Sequence, residues 1–351
     1  MKFKRSLFMV FLAIILVVAG CSSSNDSNNA KSDAGDKKAA ENYPEKNING
    51  IIQWGEGGAT DIFSRAIASI AEKELGKSII MTNRTGASGA VAAQYVHDQK
   101  ADGYNLLFIA EQLPIYGVLG ISKLSFDDFY PILLFGRTVP VIVVPKDSPY
   151  KTLEDLFKDA EKNPNKIKFG VASPGSLGHV VASMLALEKN LKFNQVPFDG
   201  NGPALTALLG GHVDVTVQNI VEVLDYVKKG DVRVLAVVND ERVEQFPDAP
   251  TLGEIDSKFE KYLPFGSWFG VVVKKETPDE IKEKLVNAFQ KAFKDPEFQK
   301  VLEQSATIPL GISGDEAYEF VKEWQSVTAW IIHDSGESKA SPEEFGIPRV
   351  E

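Results

Sequence analysis

Short apolar runs alternate with amphipathic stretches from Tyr43 onward, and this alternation restricts the fold more than any other feature of the chain. The apolar runs have the length of buried strands, while the longer stretches have helical periodicity. Strands that are separated by helical patterns form parallel sheets whose faces the helices cover. The sequence therefore predicts an α/β fold, and we find no internal repeat in it.

The alternation gives expected boundaries for each element. The expected strands are Ile48–Trp54, Ser78–Thr82, Leu106–Ile109, Val139–Val144, Ile167–Ala172, Val213–Gln218, Val232–Val238 and the run SWFGVVVKK that follows Gly266. The expected helices are Asp61–Leu75, Ala90–Gln99, Leu153–Lys162, two that open near His179 and Pro203, and then Asp279–Phe293, Pro296–Glu303 and Asp315–Ile332.

The N-terminal twenty residues have the pattern of a secretory signal peptide. Three basic residues precede the apolar stretch Leu7–Ala19, which is too short to span a bilayer comfortably and ends in small residues. Cys21, the only cysteine of the chain, then resembles the lipid-modified residue of bacterial lipoproteins, with cleavage expected between Gly20 and Cys21. A buried structural cysteine is the alternative, but it would require the apolar run to be a core helix.

These patterns predict where the protein resides. Residues 1–20 form the signal peptide, and residues 21–42, rich in Ser, Asn, Asp and Lys, form a solvated tether. We expect the mature protein to be exported and anchored by acyl chains at Cys21 to the outer face of the cytoplasmic membrane.

Composition excludes several classes of function. The 351 residues, 44% of them hydrophobic, can bury a sizeable core, and the length favours two domains. The formal net charge of −10 becomes −13 without the three basic residues of the leader, so nucleic acid is an improbable partner.

Enzymatic signatures are weak. The four histidines have no metal-ligand spacing, so we expect no metal and no cofactor. Ser148 and Lys151 fit Ser-x-x-Lys, but its companion motifs are missing, and no Gly-x-Ser-x-Gly occurs at Ser88 or Ser173. We therefore expect that the protein is not an enzyme.

Three loops rich in Gly or Ser each follow an expected strand and open a helix. They are GEGGATD at Gly55–Asp61, NRTGASGA at Asn83–Ala90 and SPGSLGH at Ser173–His179. Ligands of such sheets bind where loops leave the carboxyl ends of strands, and backbone amides at helix N-termini bind anions. The loops therefore indicate a cradle for a carboxylate.

Two alternatives remain for these loops. Each could be only a tight turn, with Asp61 or Ser173 as a helix cap. The first loop also begins a G-x-G-x-x-G dinucleotide pattern, but Thr60 stands at its third position, and Asn83 rather than an acid ends the next strand.

An ordered series of motifs covers nearly the whole chain after the tether. The motifs are YPEKN at Tyr43–Asn47, a Gly-Gly-x-x-Asp turn at Gly57, Gly58 and Asp61, an Asn-Arg-x-Gly-Ala-x-Gly turn at Asn83–Gly89, ADGYNLLF from Ala101, the turn at Ser173–His179, VPFDGNGPALTALLGGHVDV at Val196–Val215, RVLAVVNDERVEQFPDAPTLGE from Arg233, and SWFG at Ser267–Gly270. In this order they resemble the extracytoplasmic solute receptors of tripartite tricarboxylate transporters, also called the Bug family.

The resemblance implies a fold and a function. The fold is that of a two-lobed periplasmic binding protein, in which each lobe is a mainly parallel sheet flanked by helices. Two crossing strands join the lobes, and we place them at Val139–Val144 and Trp268–Val273. Residues 43–143 plus 268–351 would form the first domain, and residues 144–267 the second. A monomer of this kind would close on a small carboxylate and deliver it to a membrane permease of large and small subunits.

The resemblance also implies a set of ligand-binding positions, mostly backbone groups and small side chains around the cleft. These are Gly57, Gly58, Thr60, Asp61, Gly86, Ser88 and Gly89 from the first domain, and Ser173, Ser176, His179, Gly202, Pro203, Ala204 and Asn219 from the second. Trp54 is expected near the cleft, and Trp268 near the cleft or its hinge.

Three acids depart from the family pattern in the expected cleft. Asp199 stands in Phe198-Asp199-Gly200 where the family usually has Tyr-Lys-Gly, Glu56 stands where a small residue is common, and Glu111 follows the strand Leu106–Ile109. If two of them point inward, they favour a ligand with an amine, an amide or a single carboxylate over a tricarboxylate. Alternatively, all three are solvated residues of the rim.

Two other functions fit an exported protein of this composition. A sensory lipoprotein would bind the same ligands but engage a signalling partner, and an exported hydrolase would turn its ligand over.

Overall fold

The computed structural model describes residues 42–349. The expected signal peptide, the lipidation site at Cys21 and the tether up to residue 41 lie outside the described residues and stay predictions. Within residues 42–349, no helix is both long enough and apolar enough to cross a bilayer.

Eleven strands and eleven α-helices follow one another along the described residues. The strands are β1 (Ile48–Ile52), β2 (Ile79–Asn83), β3 (Asn105–Ala110), β4 (Phe129–Thr138), β5 (Pro140–Pro145), β6 (Lys168–Val171), β7 (Asn194–Pro197), β8 (Val215–Asn219), β9 (Val232–Val237), β10 (Trp268–Lys274) and β11 (Thr307–Ile312). The helices are α1 (Ala59–Leu75), α2 (Ala90–His97), α3 (Tyr116–Leu119), α4 (Leu153–Lys162), α5 (Leu177–Lys189), α6 (Asn201–Leu209), α7 (Ile220–Lys229), α8 (Leu252–Ile255), α9 (Asp279–Lys294), α10 (Pro296–Gln304) and α11 (Gly314–Asp334).

These strands form two sheets, which define two lobes. The first sheet has the order β11-β4-β10-β3-β1-β2, and the second has the order β7-β6-β8-β5-β9. Four of the six strands in the first sheet and four of the five in the second run in one direction, as the pairings show. The expected α/β architecture of two mainly parallel sheets is confirmed.

The chain passes between the two sheets at two adjacent places. β4 ends in the first sheet at Thr138 and β5 begins in the second at Pro140, so the first crossing takes a single residue, Val139. The second crossing returns to the first sheet just before β10. The N–H of Thr138 donates to the Ser267 carbonyl over 2.8 Å, which ties the two crossings together.

The C-terminal helix α11 packs against both lobes. It lies on β4 of the first sheet and on α5 of the second lobe. Trp324 of α11 stacks on Phe265 and meets the edge of Trp268, and all three side chains are buried. One hydrophobic cluster therefore continues from the first lobe through α11 into the second.

The structure also contains elements that the sequence pattern did not predict. These are the strands β4, β7 and β11 and the helices α3, α7 and α8. The apolar run 132–135 of β4 lies between a proline and a glycine, β11 also contains a proline and a glycine, and β7 has only four residues, Asn194–Pro197.

Candidate functional site

A cavity lies between the two lobes, where strands of both sheets end. Its wall includes Trp54 after β1, Ala110 at the end of β3, Ala172 after β6 and Asn219 at the end of β8. The space in and around the cavity measures about 590 Å³, a volume that includes the open solvent at its mouth. This position is the one that the loop pattern predicts.

Four helices direct their N-termini at this cavity. Residues at the start of α1, α5, α6 and α7 all line it. The N-caps of α1 and α6 are Gly58 and Gly200, which have no side chain to cap the free amides. By contrast, Ser176 caps α5 through its hydroxyl. One helix from each lobe without a capping side chain of its own thus directs the positive end of its dipole at the cavity, although the first N–H of α1, that of Ala59, donates to Glu222.

Glu111 is a buried acid in the wall of the cavity. It is 2% exposed, and Gln112 Nε2 donates to its Oε1 over 2.8 Å. Its Oε2 has no hydrogen-bond partner within residues 42–349. Burial raises the pKa of Glu111 to about 7, and its own backbone N–H, followed by the Ser267 hydroxyl, the Leu177 N–H and the Gln112 amide, limits the rise. Glu111 is therefore not one of the solvated rim residues.

Glu222 is a second acid of the wall, and its carboxylate is fully partnered. Oε2 accepts from the N–H of Asn219 and from Asn201 Nδ2, both over 2.9 Å. Oε1 accepts from the N–H of Ala59 in the other lobe over 3.4 Å. Burial nevertheless raises the pKa of Glu222. Glu222 caps α7 and also links the two lobes at the N-terminus of α1.

Two further acids lie toward the mouth of the cavity. Glu56 and Asp199 are both exposed. Among the described residues that line the cavity there are thus four carboxyl groups and no Lys, Arg or His. Residues 42–349 also bring together no group of three or more His, Cys, Asp or Glu side chains that could hold a metal ion.

The lobes touch each other beside the cavity. Ser88 Oγ in the first lobe donates to the Pro174 carbonyl in the second over 3.1 Å. Ala87 and Ser88 have the positive φ angles +46° and +52°, which are rare for residues with a Cβ. The Tyr116 hydroxyl donates to the Ser88 carbonyl over 2.9 Å and holds this loop. The second Gly-rich loop therefore serves as a contact between lobes.

The sequence analysis places seventeen positions at the ligand, namely the fourteen family positions together with Trp54, Glu111 and Asp199, and nine of them line the cavity. They are Trp54, Gly58, Thr60, Glu111, Ser176, Asp199, Gly202, Pro203 and Asn219. The remaining eight, Gly57, Asp61, Gly86, Ser88, Gly89, Ser173, His179 and Ala204, are not part of its wall. Ser88 and Ser173 instead line an adjoining open cavity, which shares Asp199 and Pro203 with the first.

Asp61 and His179 are engaged in other contacts. Asp61 accepts from the Gly57 N–H over 3.1 Å and from Arg65 Nε over 2.8 Å. His179 Nδ1 accepts from the Gly175 N–H over 3.0 Å, and its Nε2 lies 3.4 Å from Glu337 Oε2. In this structure both side chains brace their loops, and their assignment to the ligand stays a prediction.

The sequence analysis did not assign Glu222, Gln112, Asn201 or Ser267 to the site, although all four line the cavity. A signal for Glu222 was present, because Asn219-x-x-Glu222 has the spacing of a helix capping box. Ser267 is the first residue of the SWFG motif, which the sequence analysis used only for the family resemblance. Gln112 follows β3 in an irregular segment, where neither sequence periodicity nor a motif marks it.

Comparisons with known proteins agree with this geometry. Residues 63–336 match the family described as "Tripartite tricarboxylate transporter family receptor". A Cupriavidus necator protein, "UPF0065 protein in gbd 5'region", is 33% identical over 307 residues, which cover 86% of this chain and 91% of that protein.

Two solved structures have the same fold. The periplasmic binding protein BugD aligns with a TM-score of 0.78 and 27% identity, covering 85% of this chain and all of that one. An R. palustris protein solved with adipate aligns with a TM-score of 0.77 and 26% identity, covering 84% of this chain and 98% of that one.

Proposed function

The chain belongs to the tripartite tricarboxylate transporter receptor family, and from this premise we propose that it captures a small carboxylate outside the cytoplasmic membrane and delivers it to a membrane permease of large and small subunits. The family is one of receptors, in agreement with the expectation that the chain is not an enzyme. The proposal includes acyl anchoring at Cys21, with residues 21–42 as the tether.

The observation that carries this proposal is the cavity between the lobes, with a helix N-terminus whose N-cap residue is glycine on either side. α1 contributes from the first lobe and α6 from the second. A carboxylate in the cavity would accept from backbone N–H groups that have no partner within their own helices. The R. palustris relative solved with adipate binds a carboxylate in the same fold, which supports this ligand class.

Closure of the two lobes is the proposed mechanism. A ligand that contacts both α1 and α6 stabilises the conformation in which the lobes meet, and a permease can distinguish that conformation from an open one. The contacts of Ala59 with Glu222 and of Ser88 with Pro174 already join the lobes in this structure. Each of these contacts is a single hydrogen bond. Both can therefore break when the lobes open at the adjacent crossings.

Ligand titration tests the proposal. The full chain, purified in detergent, is titrated with mono-, di- and tricarboxylates while tryptophan fluorescence is followed, because Trp54 lines the cavity. We expect saturable binding without chemical change of the ligand, and loss of the signal but not of calorimetric heat in Trp54→Phe. Absence of binding across the panel, or turnover of a ligand, would contradict the proposal.

Delivery and anchoring need separate measurements. Uptake of the bound ligand into vesicles that contain the permease should depend on added receptor. Cys21→Ser should release the protein from the membrane fraction, and mass spectrometry of the native protein should show acyl chains on Cys21. Receptor-independent uptake would contradict delivery to a permease, and an unmodified Cys21 would contradict the anchor.

A further inference from the structure

Glu337 lies just beyond the C-terminal end of α11, and its side chain binds the second lobe. Its Oε1 accepts from Gln195 Nε2 over 2.7 Å, and its Oε2 accepts from the Ser183 hydroxyl. The Nε2 atom of His179 lies 3.4 Å from the same Oε2. These partners belong to β7 and α5. One carboxylate thus joins the end of α11, which packs on β4 of the first sheet, to the second lobe.

His179 connects this carboxylate to a loop beside the cavity. Its Nδ1 accepts from the Gly175 N–H over 3.0 Å, so Nδ1 carries no proton and the ring proton is on Nε2, on the side of Glu337. His179 is only 8% exposed. A carboxylate next to one ring nitrogen of a histidine fixes both the tautomer and the orientation of the ring. Glu337 therefore keeps Nδ1 in place as the acceptor for Gly175.

The loop that contains Gly175 contacts the first lobe and also forms part of the cavity wall. The Pro174 carbonyl accepts from the Ser88 hydroxyl of the first lobe over 3.1 Å. A Cβ on Gly175 would lie 2.5 Å from Leu119 Cδ1, so the backbone of the loop closely approaches α3, which follows β3 of the first sheet. Ser176 lines the cavity. A shift of Gly175 would therefore disturb both the contact between the lobes and one wall of the cavity.

We propose that Glu337 is a positioning residue of the receptor: through His179 it holds the Gly175 N–H, and with it the loop at residues 173–176, where the loop meets the first lobe and shapes the cavity. Glu337 lies outside the cavity wall, so it acts on ligand binding only through this loop. The inference goes beyond the proposed function, because the position of the loop can be measured without any ligand.

Hydrogen exchange of the Gly175 amide tests the positioning directly. It is measured on the full chain in detergent by mass spectrometry of overlapping peptides. In Glu337→Gln the amide should exchange at least about fivefold faster than in the native chain, a factor that corresponds to the loss of about one hydrogen bond. An unchanged rate would overturn the inference.

Asp334→Asn is the matched control. Asp334 ends α11, its side chain is 31% exposed against 30% for Glu337, and it pairs with both terminal nitrogens of Arg349 at 2.7 and 2.8 Å. The substitution removes the same formal charge from the same end of the helix, but from an ion pair outside the loop. It should change the exchange of Gly175 less than about twofold. Equal acceleration in the two variants would indicate general loosening and would overturn the inference.

A double-mutant cycle tests whether the effect of Glu337 passes through His179. In His179→Asn the side-chain oxygen takes the place of Nδ1 and can still accept from Gly175, but the shorter side chain does not reach Glu337. Adding Glu337→Gln to this variant should therefore change the exchange of Gly175 less than about twofold. An acceleration as large as in the native background would assign the effect to Ser183 or Gln195 and contradict the inference.

The native chain allows a test that needs no substitution. Long-range ¹H–¹⁵N NMR spectra of the histidine rings at pH 8 should show a proton on Nε2 of His179 and none on Nδ1. A proton on Nδ1 would exclude this nitrogen as the acceptor for Gly175. That result would overturn the inference even if no variant folds.

Affinity connects the loop to ligand binding. Succinate, adipate and citrate are titrated into the full chain by calorimetry, and the acid that the native chain binds most tightly serves as the probe. Glu337→Gln should bind this acid at least about threefold more weakly, while Asp334→Asn should stay within about twofold of the native affinity. Faster exchange with unchanged affinity would contradict the positioning role. If none of the three acids binds, that result counts against the proposed function, and hydrogen exchange alone decides whether Glu337 positions the loop.

Discussion

Replacement of Glu111 by glutamine should make the protein more resistant to unfolding at high pH. Burial raises the pKa of this carboxyl from its ordinary 4.5 to about 7 in the folded state. The folded protein therefore holds the proton more tightly than the unfolded chain does, and the native protein loses stability as the pH rises from about 4.5 through 7. The side chain of the introduced glutamine cannot titrate, so the variant escapes this loss.

The size of the effect follows from the two pKa values. One pKa unit corresponds to about 1.4 kcal/mol, so the complete loss is about 3 kcal/mol, and most of it falls between pH 5 and pH 8. No allowance for solvent screening is needed, because Glu111 is 2% exposed. A constant offset from altered hydrogen bonding to Gln112 would not change with pH. The pH dependence of the difference is therefore the informative quantity.

Urea unfolding of the native protein and of Glu111→Gln, at pH 5, 6, 7 and 8 and constant ionic strength, measures how their stability difference depends on pH. The free energy of unfolding of the variant minus that of the native protein should rise steadily across this range. Glu222, whose pKa burial also raises, is present in both proteins, so its own titration largely cancels. Glu303→Gln, on the surface, should give a flat difference. A difference for Glu111→Gln that stays within about 0.5 kcal/mol over the whole range would refute the reasoning.

Three further substitutions test the packing around the cleft. Gly175→Ala should cost about 2–4 kcal/mol of unfolding free energy, because the φ of Gly175 is +78° and the new Cβ would lie 2.5 Å from Leu119 Cδ1. The control Gly336→Ala, at the same φ but with open space around the new Cβ, should cost about 1 kcal/mol. Thr138→Val should cost about 1–3 kcal/mol, since the buried hydroxyl donates to the Asn side chain at the end of β8, and a loss below about 0.5 kcal/mol would contradict this role. Glu337→Gln should destabilise the protein near neutral pH, but the destabilisation should shrink as the pH falls. Burial acts to raise the pKa of Glu337, yet the neighbouring imidazole and hydroxyls hold that pKa below its usual range. The ionised carboxylate therefore stabilises the folded protein, and protonation removes this contribution. Thermal unfolding at several pH values measures this, and a deficit that grows in acid would contradict it.

The alternation of apolar and amphipathic segments was sufficient to predict most of the fold. Helices such as Leu153–Lys162 and strands such as Val232–Val237 were located within one or two residues, because each carries its own periodicity. β4 was missed although it is the longest strand within residues 42–349, since Pro131 and Gly136 lie on either side of its apolar run. In the structure, β10 and β11 pair with it on both sides, and that pairing compensates for its weak local propensity.

The mainly parallel direction of both sheets was also predictable, but the order of their strands was not. β10 follows β9 along the chain, yet it inserts between β3 and β4 of the first sheet and runs antiparallel to both. Such an insertion depends on the chain crossing between the lobes twice, and no local pattern records which sheet a strand joins.

The sequence by itself determined the α/β class, the family motifs and the three loops that follow strands, because glycine content and helix-opening patterns are local properties of the chain. It also identified Glu56, Glu111 and Asp199 as acids near the cleft. Only the tertiary structure distinguished their environments: Glu56 is exposed to solvent, whereas Glu111 is buried and its Oε2 has no hydrogen-bond partner within residues 42–349. It also brought Glu222 across to the first lobe. Burial and charge pairing depend on segments far apart in the chain, and these contacts exist only once the two lobes have packed together.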